Sequence, residues 1–336
     1  MAANRFRSRR IEIDALEEHM HTSRKRIAFL GIIMTIALAL ILGGCSAGTQ
    51  TGSVELSITD APLLGNDVVG VYITVQAIEF HLTDEEWMVM EEFEGPQTFN
   101  LMELTNGTSH LLGELVLPVG EYTQLRFILG APNQSEDGGT LTTVGSWVEI
   151  GTDNGVYDDG TDKPLFVPSG AQTGYKATAG EPFTVPRNGT VAITADFDLR
   201  RAVVVRGSTG SYLLKPVLRL IVEGEAGTIS GDIATTSVET LMVFAYADGT
   251  YEVAEAADPV ADEPRFPNAV TSGLITLDVD NPDYLLAFLA AGTYDLVVAE
   301  YDAGTGDFIG VLGTLDDVVV NSEQTTEADI DVTPIP

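Results

Sequence analysis

The chain has 336 residues, 50 of them acidic and 17 basic, for a formal charge of −33 at pH 7. Seven of the basic and four of the acidic residues precede Cys45, the single cysteine, so the 10 basic and 46 acidic residues after it carry −36. That charge excludes a nucleic-acid partner, because phosphate binding needs a basic face, and it opposes electrostatic contact with anionic lipid. An acidic surface keeps a protein soluble and repels like neighbours; beyond plain solvation, it fits growth in salty water or collection of divalent cations. One cysteine permits no intramolecular disulfide. Stability must come from apolar burial, and the roughly 290 residues after Cys45 suffice for two cores. The 34 glycines, the scarcity of helical periodicity and the recurrent short apolar runs between turn signals predict an all-β protein.

At the N-terminus, Arg24, Lys25 and Arg26 precede an uncharged apolar run, Ile27 to Leu42. The run is short for a spanning helix, which needs ~20 apolar residues. A basic cluster, an apolar run and small residues before a cleavage point make a secretory signal. Leu42-Gly43-Gly44-Cys45 resembles the bacterial lipobox. The resemblance implies a signal helix over residues 1–44, cleavage before Cys45, and attachment there of diacylglycerol and an N-acyl chain such as palmitate. The alternative is a signal anchor with an incidental cysteine. Each buried methylene contributes ~0.8 kcal/mol, so two or three acyl chains hold firmly. Met1 to His19 mixes charges of both signs, and Met20 opens a more ordinary signal, MHTSRKR, so translation is expected to start there. Ser46 follows the cysteine; without aspartate there, a two-membrane cell exports the lipoprotein to the outer membrane, and a one-membrane cell keeps it on the outer face of its membrane. Residues 45–53 form a short polar tether.

From Val54 the pattern changes. Val54, Leu56 and Ile58 alternate with Glu55, Ser57 and Thr59, the period-two signature of a half-buried strand, and Asp60-Ala61-Pro62 stops it. Val69 to Leu82, Glu121 to Leu129, Thr190 to Asp198 and Tyr212 to Val222 read as further strands. Pro118-Val119-Gly120 is a turn, Asn188-Gly189 a hairpin signal, and Pro216 marks an edge or a bulge.

Five blocks then carry a resemblance: ITDAP (Ile58 to Pro62), LPVGEYTQLRFIL (Leu117 to Leu129), VPSGAQTGYK (Val167 to Lys176), ADFDLRRAVVV (Ala195 to Val205) and YLLKPVLRL (Tyr212 to Leu220). In that order they resemble DUF4382, a bacterial and archaeal domain family of unknown function that is common on predicted lipoproteins. The resemblance covers residues 54–223 and implies a β-sandwich-like extracytoplasmic domain, with no activity to carry over.

After the linker Glu223 to Gly227, strands are expected over Thr228–Ile233, Leu241–Ala247, Leu274–Val279, Tyr294–Tyr301, Phe308–Leu312 and Thr325–Val332, with a helical turn within Asp280–Ala291. GTISGDI and LAAGTYDLVV resemble prealbumin-like modules related to the carboxypeptidase regulatory domain, which implies a second β-sandwich over residues 228–336. That region contains no lysine, so it cannot form a lysine–asparagine isopeptide staple.

Chemistry is sparse. Only His81 and His110 follow Cys45, and neither accompanies a G-x-S-x-G elbow. Zinc prefers histidine and cysteine, whereas calcium takes oxygen ligands alone. The acidic loop with Asp153, Asp158, Asp159 and Asp162 is therefore a candidate calcium site or simply an acidic turn. Asp196 and Asp198 share a strand face; they are candidates for a cation or for acid–base work, or are exposed aspartates paired with Arg200 or Arg201. Trp87, Trp147 and Tyr157 are candidate contacts to a sugar, or packing residues. The reading is a lipid-anchored binding or scaffold module of the cell envelope, not an enzyme, whose partners are the membrane and a carbohydrate or envelope protein. The alternatives are a calcium-dependent adhesin-like protein and a carboxylate-based hydrolase.

Overall fold

Val54, Leu56 and Ile58 are fully buried, and their alternating run is the first of the strands that make up nearly all the regular structure. The structure, a computed structural model, describes residues 50–63, 68–82, 87–130, 133–134, 141–143, 145–151, 161–168, 174–206, 211–259, 263–277 and 281–333. The expected signal segment with Cys45, and Asp153, Tyr157, Asp158 and Asp159, lie outside these residues. Among the described residues, no helix is long and apolar enough to cross a membrane.

Up to residue 222 the strands are β1 (Thr51–Ala61), β2 (Val68–Leu82), β3 (Trp87–Val89), β4 (Gln97–Asn100), β5 (His110–Pro118), β6 (Gly120–Leu129), β7 (Asn133–Gln134), β8 (Leu141–Thr143), β9 (Trp147–Ile150), β10 (Lys163–Phe166), β11 (Tyr175–Val185), β12 (Thr190–Asp198), β13 (Val203–Arg206), β14 (Ser211–Leu214) and β15 (Leu218–Val222). A single helical turn, α1 (Leu199–Ala202), separates β12 from β13. All but β7 and β8 join one sheet in the order β13-β14-β10-β9-β2-β6-β11-β15-β12-β1-β5, with β3 and β4 added to β2. Strands far apart in that order fill one core, for example Leu56 of β1, Ile73 of β2, Phe127 of β6 and Leu165 of β10, so the sheet bends back over its own apolar face.

Two expectations change here. Asn188-Gly189 does reverse the chain, with Asn188 at φ +55°, but β11 and β12 are not paired to each other. β12 runs parallel to β1 instead, and the turn is tied to the start of β1 by Ser53 N–H to Gly189 O and Asn188 N–H to Thr51 O. Pro216 marks neither an edge nor a bulge within one strand. It breaks Tyr212–Val222 in two: β14 pairs with β13 and β10, and β15 pairs with β11 and β12.

Beyond the turn at Glu223–Glu225 come β16 (Ala226–Gly231), β17 (Ile233–Ala234), β18 (Thr240–Ala247), β19 (Thr271–Ile275), β20 (Tyr284–Ala290), β21 (Gly292–Tyr301), β22 (Phe308–Val320), β23 (Thr325–Glu327) and β24 (Ile330–Asp331). A four-stranded sheet, β19-β18-β21-β22, faces a three-stranded one, β20-β16-β23, across a core that includes Ile229, Val243, Leu286 and Val298. The continuous apolar run of β18 is buried on both faces: Met242, Phe244 and Tyr246 pack the other way, against Phe266 and Ala269. The helical turn expected within Asp280–Ala291 is absent from the described part, because residues 284–290 pair with β16 as strand β20. β22 runs eight residues past Leu312, carried by register shifts against β21 that its Gly- and Asp-rich sequence conceals.

The two regions share one device. In Leu117-Pro118-Val119-Gly120-Glu121-Tyr122, the Tyr122 hydroxyl donates to Pro118 O at 2.7 Å; in Leu289-Ala290-Ala291-Gly292-Thr293-Tyr294, Tyr294 donates to Ala290 O at 2.8 Å. Each tyrosine fastens the corner where the chain leaves one run of strands for another, since neither β5 and β6 nor β20 and β21 are paired. A tyrosine bonded back to the chain a few residues upstream is a recognised corner-former in β-sandwiches.

Candidate functional site

Ile193, Ala195 and Phe197 of β12 enter the core, so Thr194, Asp196 and Asp198 must point the other way. That face is not open: Thr194 is fully buried, and Asp196 and Asp198 are 4% and 7% exposed. The expectation of exposed aspartates is therefore corrected, because residues beyond 226 cover this face. Arg200 of α1 donates to Asp198 Oδ2 at 2.8 Å and reaches two carbonyls of the second region, Phe266 O at 3.3 Å and Ala269 O at 3.4 Å. Its guanidinium also lies 5.4 Å from the centre of the Phe244 ring. Asp196 accepts from Arg219 Nε at 2.6 Å, a cross-strand pair fixed by the register of β12 against β15. Arg201, 4.0 Å from Asp198 and 42% exposed, is the outlying partner.

A third carboxyl, Asp60, stands at the end of β1, where the sequence alone shows only a strand stop. It is 5% exposed; Oδ1 accepts the Leu199 N–H at 3.1 Å, and Oδ2 has no hydrogen-bond partner among the described residues. Burial pushes its carboxyl well above the usual range, the Leu199 N–H pulls the other way, and the charges of Asp196 and Asp198 raise it further. Asp196 is also raised, because burial outweighs the pull of Arg219. Nearby, burial pushes up the Tyr175 hydroxyl, which donates to Lys215 O and accepts the Val217 N–H at 3.2 Å. Thr59, Asp60, Asn106, Asp196 and Ser272 line a cleft between the two regions. It has room for about one water molecule. The density of charge in Ala195 to Arg201 was the available signal, since the chain has so few basic residues to place.

Asp162, the described member of the acidic loop, is 3% exposed and accepts the Ile150 N–H at 3.0 Å, closing the base of that loop. Among the described residues, no three or more His, Cys, Asp or Glu side chains are grouped to hold a metal ion. The structure thus brings Asp196 and Asp198 together in ion pairs and leaves Asp162 in a separate place. An open acidic cleft on the second region includes Asp248, Asp295, Asp316 and Asp317, where Asp295 accepts the N–H groups of Gly249 and Asp317 and so ties the turn after β18 to the register shift in β22.

The tryptophans divide. Trp147 is 9% exposed and stacks on Tyr72 with ring centres 4.5 Å apart, which makes it a packing residue. Trp87 is half-buried on the outer face of the sheet, opposite the buried Phe80, Leu125 and Ala177. The register sets His81 between Trp87 and Gln124, and Arg126 between Glu79 and Lys176. The Arg126 guanidinium lies 4.3 Å and the Lys176 ammonium 5.7 Å from the indole centre, while Glu79 is ion-paired to Arg126. His81 packs its ring 5.1 Å from that of Trp87.

Residues 51–216 match the family model of a domain of unknown function, DUF4382. The DUF4382 match takes in β1 to β14, the Trp87 face, and Asp60, Asp196, Asp198 and Arg200, but not Arg219. No curated protein matches the chain. Among solved structures, a leucine-rich repeat protein from Bacteroides thetaiotaomicron aligns at 11% identity and TM-score 0.19, over 85% of this chain but 27% of its own. The minor pilin GBS52 of Streptococcus agalactiae aligns at 9% identity and TM-score 0.19, over 84% of this chain and 96% of its own. A putative adhesin from Bacteroides ovatus aligns at 11% and 0.21, over 87% and 98%. Scores this low establish no common fold, and nothing about this chain follows from them.

Proposed function

We propose that the chain is a lipid-anchored module of the cell envelope that binds carbohydrate on the outer face of its DUF4382-matching region. The observation that carries this reading is the row of Trp87, His81 and Gln124 beside Glu79, Arg126 and Lys176 on one sheet face. A flat indole offers a stacking surface for a sugar ring, and the amide, ammonium and guanidinium around it supply directional donors. β-strands hold these groups at fixed spacing, which limits the ordering cost of binding.

The lipid anchor rests on Leu42-Gly43-Gly44-Cys45 and the basic and apolar segments before it. In a two-membrane cell the anchor is assigned to the outer membrane; otherwise it is assigned to the outer face of the cell membrane. Mass spectrometry of the mature N-terminus tests it: an acylated Cys45 is expected, and a Cys45→Ser chain should lose the lipid and the membrane association. An unmodified Cys45 in the membrane fraction would sink the anchor.

A hydrolase would need a carboxylate pair open to substrate. Asp60 and Asp196 do line one cleft, but its size admits no sugar ring and Asp196 is held by Arg219. Binding is therefore the better reading. Screening the purified lipoprotein against a glycan array, with Trp87→Ala and Lys176→Ala alongside, tests it directly. Loss of the retained glycans in Trp87→Ala supports the assignment; unchanged retention, or no glycan retained by the native chain, rejects it.

A further inference from the structure

Asp60, Asp196 and Asp198 meet two guanidinium groups, the buried Arg200 and the partly exposed Arg219: Arg200 holds Asp198, and Arg219 holds Asp196. Asp60 is left over. It touches Leu199 through one oxygen, and the next residue along α1 is Arg200, which grips Phe266 and Ala269 of the second region. The cluster is a three-part linkage, from the end of β1 through α1 to the segment before β19.

A buried carboxylate without a countercharge is costly, and such a group neutralises itself instead. The charges around Asp60 can be named element by element. β12 contributes Asp196 and Asp198, α1 contributes Arg200 and the half-exposed Arg201, β15 contributes Arg219, and β11 contributes the un-ionised Tyr175. The turn at Leu101–Glu103, which packs on β1, offers only the exposed Glu103, and β19 offers the uncharged Thr271 and Ser272. β5, paired with β1, offers the exposed His110, whose ring packs 4.9 Å from Phe99. Among the described residues, none of these cations is ion-paired to Asp60.

We propose that Asp60 is an un-ionised acid in this seam, and that its proton latches residues 50–222 to residues 226–332: ionising Asp60 loosens α1 and with it the grip of Arg200 on Phe266 and Ala269. An ionised Asp60 repels Asp198 and competes for the same guanidinium, so the pair that holds the second region is weakened at its base. The direction is fixed by linkage. Asp60 binds its proton more tightly in the closed seam than in water, so the contribution is fully present below its ordinary value of 3.8 and is lost as pH rises through the folded value. Between those two points the opening constant of the seam should rise about tenfold per pH unit, one proton being released.

The test uses the full mature chain. Residue-resolved NMR of the aspartate side-chain carboxyl carbons reads the protonation of Asp60 directly, and amide exchange at Leu199 and Val270, corrected for intrinsic rate, reads the opening on both sides. Val270 N–H bonds to Ala245 O, so its protection reports the closed second region next to Ala269. The expected result is an Asp60 that keeps its proton above its ordinary value of 3.8, with opening at both amides rising from that pH and levelling off once the closed seam itself loses the proton. Asp60→Asn, which imitates the neutral acid, should flatten the acceleration. An Asp60 that titrates at or below its ordinary value of 3.8, or amides whose opening ignores its titration, overturns the proposal. If Asp60→Asn does not fold, the native-chain titration decides alone.

Discussion

Arg200 and Phe266 lie 66 residues apart in sequence, yet the guanidinium of one donates to the backbone carbonyl of the other at 3.3 Å. A side chain whose charge belongs to the first region is thereby spent on the main chain of the second. The Asn106 side chain adds a second tie across the seam, accepting the Leu274 N–H at 3.1 Å.

Replacing Arg200 with Met should destabilise the chain by ~3–5 kcal/mol, because Asp198 stays buried without its partner. Replacing both, as Asp198→Leu with Arg200→Met, should recover most of the loss, since two apolar groups need no countercharge. Urea unfolding of the three chains measures it, and equal midpoints for the single and double variants would refute the argument.

Trp147 and Trp87 should separate cleanly. Trp147→Ala removes a buried ring stacked on Tyr72 and should cost ~3–5 kcal/mol. Trp87→Ala, at a half-exposed edge strand, should cost less than half as much while removing any stacking ligand. Thermal melts of the two variants under identical conditions distinguish the roles.

Gly107 sits at φ +79°, and a β-carbon there would lie 2.4 Å from the tip of Leu285 across the seam. The leucine tip can swing away, but the backbone angle cannot be relieved. Gly107→Ala should therefore lose more than ~1 kcal/mol, and adding Leu285→Ala should fail to restore it. Recovery in that double variant would mean the crowding, not the angle, decides.

Asp302 behaves oppositely to Asp60. The N–H groups of Thr305 and Gly304, and then the Thr305 hydroxyl, hold its exposed carboxylate below the ordinary value of 3.8. A depressed value means the turn between β21 and β22 is supported above that pH and loses support as pH falls through the lowered one. The amide proton shifts of Gly304 and Thr305 should titrate together below pH 3.8, and Asp302→Ala should abolish the transition.

Much of the β-structure was legible because alternation is a local property. Val54, Leu56 and Ile58 announce β1 by themselves, and Gly120 and Gly292 announce the corners that Tyr122 and Tyr294 fasten. What sequence concealed was non-local. Nothing in Asn188-Gly189 says that the strand beyond it will run beside β1 instead of β11. Likewise, Thr194, Asp196 and Asp198 carry the polar pattern of a solvated face, and only the arrival of a second region turns that face into an interior. The Trp87 row was half visible: the indole could be picked out, but its neighbours on β6 and β11 come from register. The acidic-loop candidates Asp153, Asp158 and Asp159 lie outside the described residues.

β1 starts at Thr51 and lies between β12, which runs parallel to it over Ser53–Ala61, and β5, which runs antiparallel. With the proposed anchor at Cys45, any drag on the protein enters the fold at the first residue of this strand and acts along its axis. A strand pulled lengthwise between two neighbours stretches its hydrogen bonds in shear, many at once, whereas a strand peeled sideways surrenders them singly. The position of β1 therefore gives the protein its mechanical resistance where a tethered surface molecule in moving fluid is loaded first.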